Sequence, residues 1–395
     1  MSTWRGLRTH ATVLTQESNY SDVSAATVPA LPYYSGYVAV RREGRLSVKP
    51  FIAVARRPKS GGIRRHNGPV TSDPLHLRIY AISHEKSSMS KQVIALVGAP
   101  TDIGAGHRGA SMGPEALRVA KLAEKLRRRG LEVIDRGNLH GPMNPWQPPE
   151  QGYRHLPEVI AWNMAVHGAI HQELQAGRMP IMLGGDHCLA IGSISAVARH
   201  CREQGRKLRV LWLDAHADFN TSQVTPSGNI HGMPVACLCG NGPRELVEIG
   251  DRVPAVTPDV FRQIGIRSVD EGEKRLVCEA KMDIYDMRHI DEVGMKRTME
   301  EALDGVDADT HIHVSFDVDF LDPSIAPGVG TTVRGGPTYR ESQLCMEMIA
   351  DTGRLGSLDI VELNPAYDKR NQTAKLAVEL VESLFGKSTL MRSPD

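Results

Sequence analysis

From residue 93 onward, short apolar runs alternate with longer amphipathic stretches. The runs at 93–97, 131–134, 179–183, 208–213, 261–266, 311–316 and 357–361 have the length and Val/Ile/Leu content of buried strands. Between them, 115–128, 157–175, 191–204, 269–280, 340–349 and 375–385 carry apolar residues at helical spacing, as in Leu117, Ala120, Leu122 and Leu126. Strands alternating with helices of this length predict βαβ units, that is, an α/β fold whose mostly parallel sheet is covered on both faces. No internal repeat or linker divides 89–395, so one large domain is expected there. In such sheets ligands bind beyond the carboxyl ends of the strands, which makes the residues just after each strand the ones to examine.

Residues 1–88 show neither period and are interrupted by Pro29, Pro32, Pro50, Pro58, Pro69 and Pro74. Residues 1–90 also hold 13 Lys+Arg against 5 Asp+Glu, in a chain whose net charge is only +1. Three readings stand for this N-terminal extension. Translation begins at Met89, directly before the first good strand; or the Arg-rich, acid-poor segment is an organelle transit peptide; or it is a functional arm. Disorder is the expectation for it, and 89–395 is the folded domain.

Composition narrows the function classes. With 41% hydrophobic and 24% charged residues among 395, the chain is globular in type and not wholly disordered. The near-neutral balance excludes an overall electrostatic grip on nucleic acid or an anionic membrane. No run of about 18 apolar residues suits a membrane span. Cys188, Cys201, Cys237, Cys239, Cys278 and Cys345 form no CxxC pair, which points to a reducing compartment without structural zinc. The cytoplasm is therefore expected, or the mitochondrion if 1–88 is a transit peptide.

Four predicted strands end in chemistry. After 179–183 comes Gly184-Gly185-Asp186-His187; 208–213 is followed by Asp214-Ala-His216-Ala-Asp218; 311–316 by Asp317-Val-Asp319; and 357–361 by Glu362. In an extended segment residues i, i+2 and i+4 share a side, so Asp214, His216 and Asp218 converge, as do Asp317 and Asp319. Asp186 and His187 point apart, so one of them joins the group. Four crowded carboxylates cannot all ionise without a cation. Asp214, Asp218, Asp317 and Asp319 with His187 and His216 make a hard, oxygen-rich donor set without thiolate, which favours Mn²⁺ over zinc. Asp214 and Asp317 are placed to bridge two metals about 3.5–4 Å apart.

Three of these segments resemble the signatures of the ureohydrolase family, manganese enzymes that hydrolyse guanidino groups: Gly184-Gly-Asp-His187, Asp214-Ala-His-Ala-Asp218 and Ser315-Phe-Asp-Val-Asp-Phe-Leu-Asp-Pro323. The likeness runs through 89–395, beginning at Gly104-Ala-Gly-His-Arg-Gly-Ala-Ser-Met-Gly-Pro114. Within the family it is to the arginases, through the loop Asp218-Phe-Asn-Thr-Ser-Gln-Val-Thr-Pro-Ser-Gly-Asn-Ile-His-Gly232 and Ile264-Gly-Ile-Arg-Ser-Val-Asp-Glu-Gly-Glu273. The resemblance implies a three-layer α/β/α arginase/deacetylase-like fold, two Mn²⁺ per subunit, a homotrimer or homohexamer, and hydrolysis of L-arginine to L-ornithine and urea by a hydroxide bridging the metals. It assigns one metal to His187, Asp214, Asp218 and Asp317, and the other to Asp214, His216, Asp317 and Asp319. It places Asn220, Thr225, Ser227 and Asn229 at the α-carboxylate, Asp270 at the α-ammonium, and Glu362 at the guanidinium. His216 and Thr331 line the site, His231 shuttles protons, and Asp218 relays one beside the nucleophile. Agmatine, or another guanidino acid, is the alternative substrate.

Cys188, Ser268, Thr332 and Arg334 depart from the usual pattern: a thiol that could oxidise beside a metal ligand, a missing second acid at the α-ammonium, and two altered loop positions. Two rival readings come from other classes. Gly104-x-Gly106-x-x-Gly109 with Asp135 mimics a dinucleotide fingerprint, although six residues separate Val97 from Gly104. A non-enzymatic interaction module would not need the ligands at all.

Overall fold

The alternation becomes an eight-stranded, all-parallel sheet between two layers of helices. The computed structural model describes residues 33–42, 45–54, 78–81 and 92–390. In chain order these are β1 (Tyr33–Arg42), β2 (Arg45–Val54), β3 (Arg78–Ala81), β4 (Val93–Ala99), α1 (Gly113–Val119), α2 (Leu122–Arg128), β5 (Glu132–Asn138), α3 (Leu156–Gln175) and β6 (Met179–Gly184). There follow α4 (Ala190–Glu203), β7 (Lys207–Leu213), α5 (Pro234–Leu238), α6 (Arg244–Val247), β8 (Phe261–Ile266), α7 (Glu271–Ala280) and β9 (Asp283–Asp286). The chain closes with α8 (Met287–Ala302), β10 (Thr310–Asp317), α9 (Tyr339–Asp351), β11 (Leu355–Val361) and α10 (Gln372–Leu384).

The large sheet runs β5-β4-β6-β11-β10-β7-β8-β9. Side chains alternate through it. Leu211, Leu213, Ile312, Val314, Phe316, Leu358 and Ile360 pack with α1, α2, α8, α9 and α10 on one face. Val97, Met182 and Val361 pack with α3, α4 and α5 on the other, alongside Val210, Trp212 and Phe261. Both faces are apolar because parallel sheets bury both. Among the described residues no helix is long and apolar enough to cross a membrane.

Three differences from the sequence reading have local causes. The helix expected over 115–128 is two, because Lys121 adopts a left-handed backbone (φ 67°). Leu117 and Leu122 are five residues apart, which on an unbroken helix would turn them about 140° from each other; the break brings both into the core. β9 was missed because it is a four-residue edge strand with two exposed acidic ends. α8 was missed because Gly294, at φ 82°, divides its buried residues into two phases.

Residues 1–89 cluster as a unit of their own. No element is predicted there, yet β1, β2 and β3 form an antiparallel sheet in that order. Their Tyr, Val and Ile content favours strand pairing even where Pro50 interrupts the pattern. The transit-peptide and start-site readings rest mostly on residues outside those described.

Candidate active site and metal centre

β6, β11, β10 and β7 are consecutive in the sheet, so the four chemistry-bearing strand ends lie side by side. At three of the four, those of β6, β7 and β10, the chain turns in the same way. Asp186 Oδ1 accepts from Cys188 N (3.0 Å), Asp214 Oδ1 from His216 N (2.7 Å), and Asp317 Oδ1 from Asp319 N (2.7 Å). These Asx turns use one carboxylate oxygen and leave the other to point elsewhere. The convergence expected from an extended backbone is therefore achieved by turns. Residues 318–320 form a single 3-10 turn, and Asp218 is left-handed at φ 50°.

The free oxygens of three aspartates meet at one imidazole. His187 Nδ1 lies 3.0 Å from Asp214 Oδ2, 3.2 Å from Asp218 Oδ2 and 3.1 Å from Asp317 Oδ2. One ring nitrogen cannot serve three carboxylates, and His187 Nδ1 and Asp214 Oδ2 are in fact buried without a directed hydrogen bond. The rest of His187 is fixed: Nε2 is 2.9 Å from Ser315 Oγ, and the ring stacks on Trp212 at 4.0 Å. A second group joins on Asp214, with His216 Nδ1 3.4 Å from Asp214 Oδ1 and 3.1 Å from Asp319 Oδ2. Each group, His187/Asp214/Asp218 and Asp214/His216/Asp319, offers ligand atoms within 4.8 Å of one another.

Electrostatics agree that a cation belongs here. Burial, reinforced by Asp214, pushes Asp218 up to about 6. Burial with Asp319 and Asp214 alongside pushes Asp317 well above the usual carboxylate range. Burial also opposes ionisation of Asp214, but His187 and His216 hold it low. Carboxylates this crowded stay ionised together only with compensating positive charge, so the donors present fit divalent cations.

Asp186, the neighbour that turns away, accepts from Gly104 N (2.9 Å). Glu362 follows β11 in a left-handed conformation (φ 60°), uncommon for a residue of its size and typical of functional sites. Its Oε1 accepts from His187 N (2.8 Å) and lies 2.9 Å from His231 Nδ1. Burial works against a charged His231, yet Glu362 outweighs it and raises the imidazole to about 9.

Above this floor lies a cavity of about 220 Å³. It is lined by His216, Asp218, Asn220, Thr225, Ser227, Asn229, His231, Ser268, Asp270, Asp317, Thr331 and Glu362, so every residue expected to meet substrate reaches it. The loop's hydrogen bonds leave donors facing inward. Thr225 Oγ1 accepts from Gly228 N (3.0 Å) and Ser227 N (3.3 Å), and Ser227 Oγ accepts from Asn229 N (3.2 Å). Each hydroxyl proton remains free to donate. Asn220 donates through Nδ2 to Asp270 Oδ2 (3.0 Å), and Thr331 Oγ1 donates to Asp319 Oδ2 (2.9 Å).

Among the departures, Cys188 is fully buried and its thiol is pushed well above its ordinary value by burial and Asp186. That burial suits a packing group more than a reactive thiol. Thr332 and Arg334 are exposed and outside the cavity lining; Ser268 is in it. The dinucleotide reading fails on geometry. Gly104 and Gly106 pack where a Cβ would come within 2.7 Å of Asp186 and Asn229, and Asp135 is held by the Arg118 fork at 2.9 Å.

The sequence reading missed Glu273 and Arg154. Glu273 accepts from Phe219 N (2.7 Å) and Asp270 N (3.1 Å), tying the two loops together, and burial raises it to about 7. Its signal was available as an acid three residues after the N-cap Asp270. Arg154, 75 residues from the Asn229 it touches, carried none.

A profile of the arginase family matches residues 92–386. An arginase of Brucella melitensis is 46% identical over 299 residues, covering 75% of this chain and 97% of that one. The crystal structure of arginase from Bacillus subtilis aligns with a TM-score of 0.70 at 42% identity, covering 76% of this chain and all of that one. A hypothetical agmatinase from Burkholderia thailandensis is more distant, with a TM-score of 0.56 at 25% identity and coverage of 74% and 84%.

Proposed function

The chain belongs to the arginase family, and from that premise we propose that its cavity is a two-manganese site hydrolysing L-arginine to L-ornithine and urea. The observation that carries the reading is that a buried, oxygen-rich donor cluster and a loop of inward-facing donors share one cavity. His187, Asp214, Asp218 and Asp317 would hold one Mn²⁺, and Asp214, His216, Asp317 and Asp319 the other. Bound there, the cations supply the charge that lets these carboxylates ionise together and lower the pKa of a water at the site.

The protein's own groups do the rest. Glu362, with Oε1 held by His187 N and His231, receives the guanidinium. Thr225, Ser227 and Asn229 donate to the α-carboxylate, aided by the second Nδ2 proton of Asn220. Asp270 takes the α-ammonium, and Thr331 closes the wall beside Asp319. Water attacks the guanidinium carbon; Asp218 takes its proton and passes it to the leaving amine. His231, its Nδ1 paired with Glu362, exchanges protons with solvent through Nε2. We place the protein in the cytoplasm as a homotrimer or homohexamer; all six thiols are unpaired, which suits a reducing compartment. The test is urea release by manganese-loaded protein. Urea from arginine is expected, and none from arginine, agmatine or any other guanidino acid would overturn the assignment.

A further inference from the structure

We propose that Arg154 is a positioning residue for substrate selection: by fixing the Asn229 amide it sets the affinity of the substrate loop for the α-carboxylate of arginine. This rests on the reading of the loop given above. Arg154 Nε donates to Asn229 Oδ1 at 2.8 Å. An amide whose oxygen is held by a guanidinium has its NH₂ turned the opposite way, so the donor end of Asn229 is committed. That end lies over Gly106, where a Cβ would come within 2.7 Å of Nδ2, and no bulkier residue leaves it room.

Arg154 also ties the loop to the segment that precedes α3. Its own N–H donates to Gly228 O (2.8 Å), and Nη1 donates to Gln147 O (2.9 Å). The two segments touch closely at glycines with positive φ. A Cβ on Gly228 (φ 72°) would come 2.6 Å from Pro149 Cβ, and one on Gly152 (φ 82°) 2.6 Å from Ser222 O. The loop that carries Thr225, Ser227 and Asn229 is thus braced from behind by residues 147–154. Both side-chain partners of Arg154 are neutral, and among the described residues no carboxylate pairs with it. Its charge is left to favour an anionic ligand at Asn229. Arginine brings one there; agmatine does not.

The test compares Arg154→Gln and Arg154→Lys with the parent as manganese-loaded protein, using arginine and agmatine as substrates. Arg154→Gln is expected to raise the arginine KM by about tenfold, the equivalent of one hydrogen bond to a charged group, with kcat held and agmatine kcat/KM unchanged. Arg154→Lys, which keeps the charge and a donor, is expected to recover most of the loss. Either variant retains the backbone bond to Gly228, and a melting curve of the loaded protein checks that the fold is kept. Combined with Asn229→Ala, Arg154→Gln should add little further, since both act through one amide. An unchanged arginine KM in Arg154→Gln, or an equal loss on both substrates, overturns the proposal. If Asn229→Ala itself leaves the arginine KM unchanged, it is the reading of the loop that fails.

Discussion

Arginine and agmatine share the guanidinium, so any chemistry at the metal centre treats them alike, and discrimination must arise at the loop. Agmatine lacks the α-carboxylate, and its binding leaves the loop's donors without the partner they face. Hydrogen bonds to a charged group are worth about 1.5–3 kcal/mol each. Ser227 is exposed, so water replaces the lost partner and its contribution is discounted. Thr225 and Asn229 are half-buried, with their acceptor oxygens already engaged by Gly228 N, Ser227 N and Arg154. Two bonds at the low end give about 3 kcal/mol, a kcat/KM preference for arginine of at least about 10²-fold. Steady-state urea release on both substrates measures it. Asn229→Ala should narrow the ratio by raising the arginine KM while agmatine turnover stays as it was. Turnover of agmatine as fast as arginine would refute the reasoning at the loop, leaving the hydrolase intact and its substrate wrong.

Asp317→Ala removes a carboxylate that lies 3.1 Å from His187 Nδ1 and that the proposed ligand sets share, and elemental analysis should find less than about half the parent's manganese; unchanged stoichiometry would remove Asp317 from the ligand set. Burial, with His313 beside it, lowers His311 to about 3. The folded chain therefore keeps this ring neutral while the unfolded chain protonates it near 6.5, so its stabilising contribution is complete above that pH and declines as pH falls toward 3. Denaturant midpoints should drop less steeply with acid in His311→Gln, by about 2 kcal/mol between pH 6.5 and 5, and parallel curves would contradict this. A chain begun at Met89 is expected to keep manganese content, oligomer size and activity, since the family match starts at residue 92; loss of folding would show that 1–88 supports the domain.

What could be read in advance followed the two periodicities. Strand interiors such as Val210–Leu213 and His311–Phe316 are long enough and apolar enough to declare themselves, and an Asp or His immediately after such a run is anomalous enough to be noticed. The His/Asp cluster was therefore visible as residue types at strand ends. Its geometry was not, because Asx turns and the left-handed backbones of Asp218 and Glu362 replace the extended chain that the spacing suggested. Elements whose pattern is short or broken, such as β9 and α8, also escaped. So did the brace from Arg154, a contact that exists only after two distant loops have been folded together.

The strand that carries Asp317 shows why the remainder needs three dimensions. Its alternation puts Ile312, Val314 and Phe316 into one core, and this face is what marks it as a strand. The opposite face reads His311, His313, Ser315, Asp317, a polar row that would be ruinous if buried alone. The register resolves it. β11 lays Ser357 beside His313 and Asp359 beside Ser315, so Ser357 Oγ bridges His311 Nε2 and His313 Nδ1 at 2.9 Å each. Asp359 lies 3.3 Å from His313 Nε2 and accepts from Ser193 of α4 at 2.7 Å. Ser315, next in the row, holds His187 Nε2 and so directs its Nδ1 toward the three aspartates. The polar face is thus a support that orients the His187 ring, and its partners come from β11, α4 and the turn after β6, none adjacent to it in sequence.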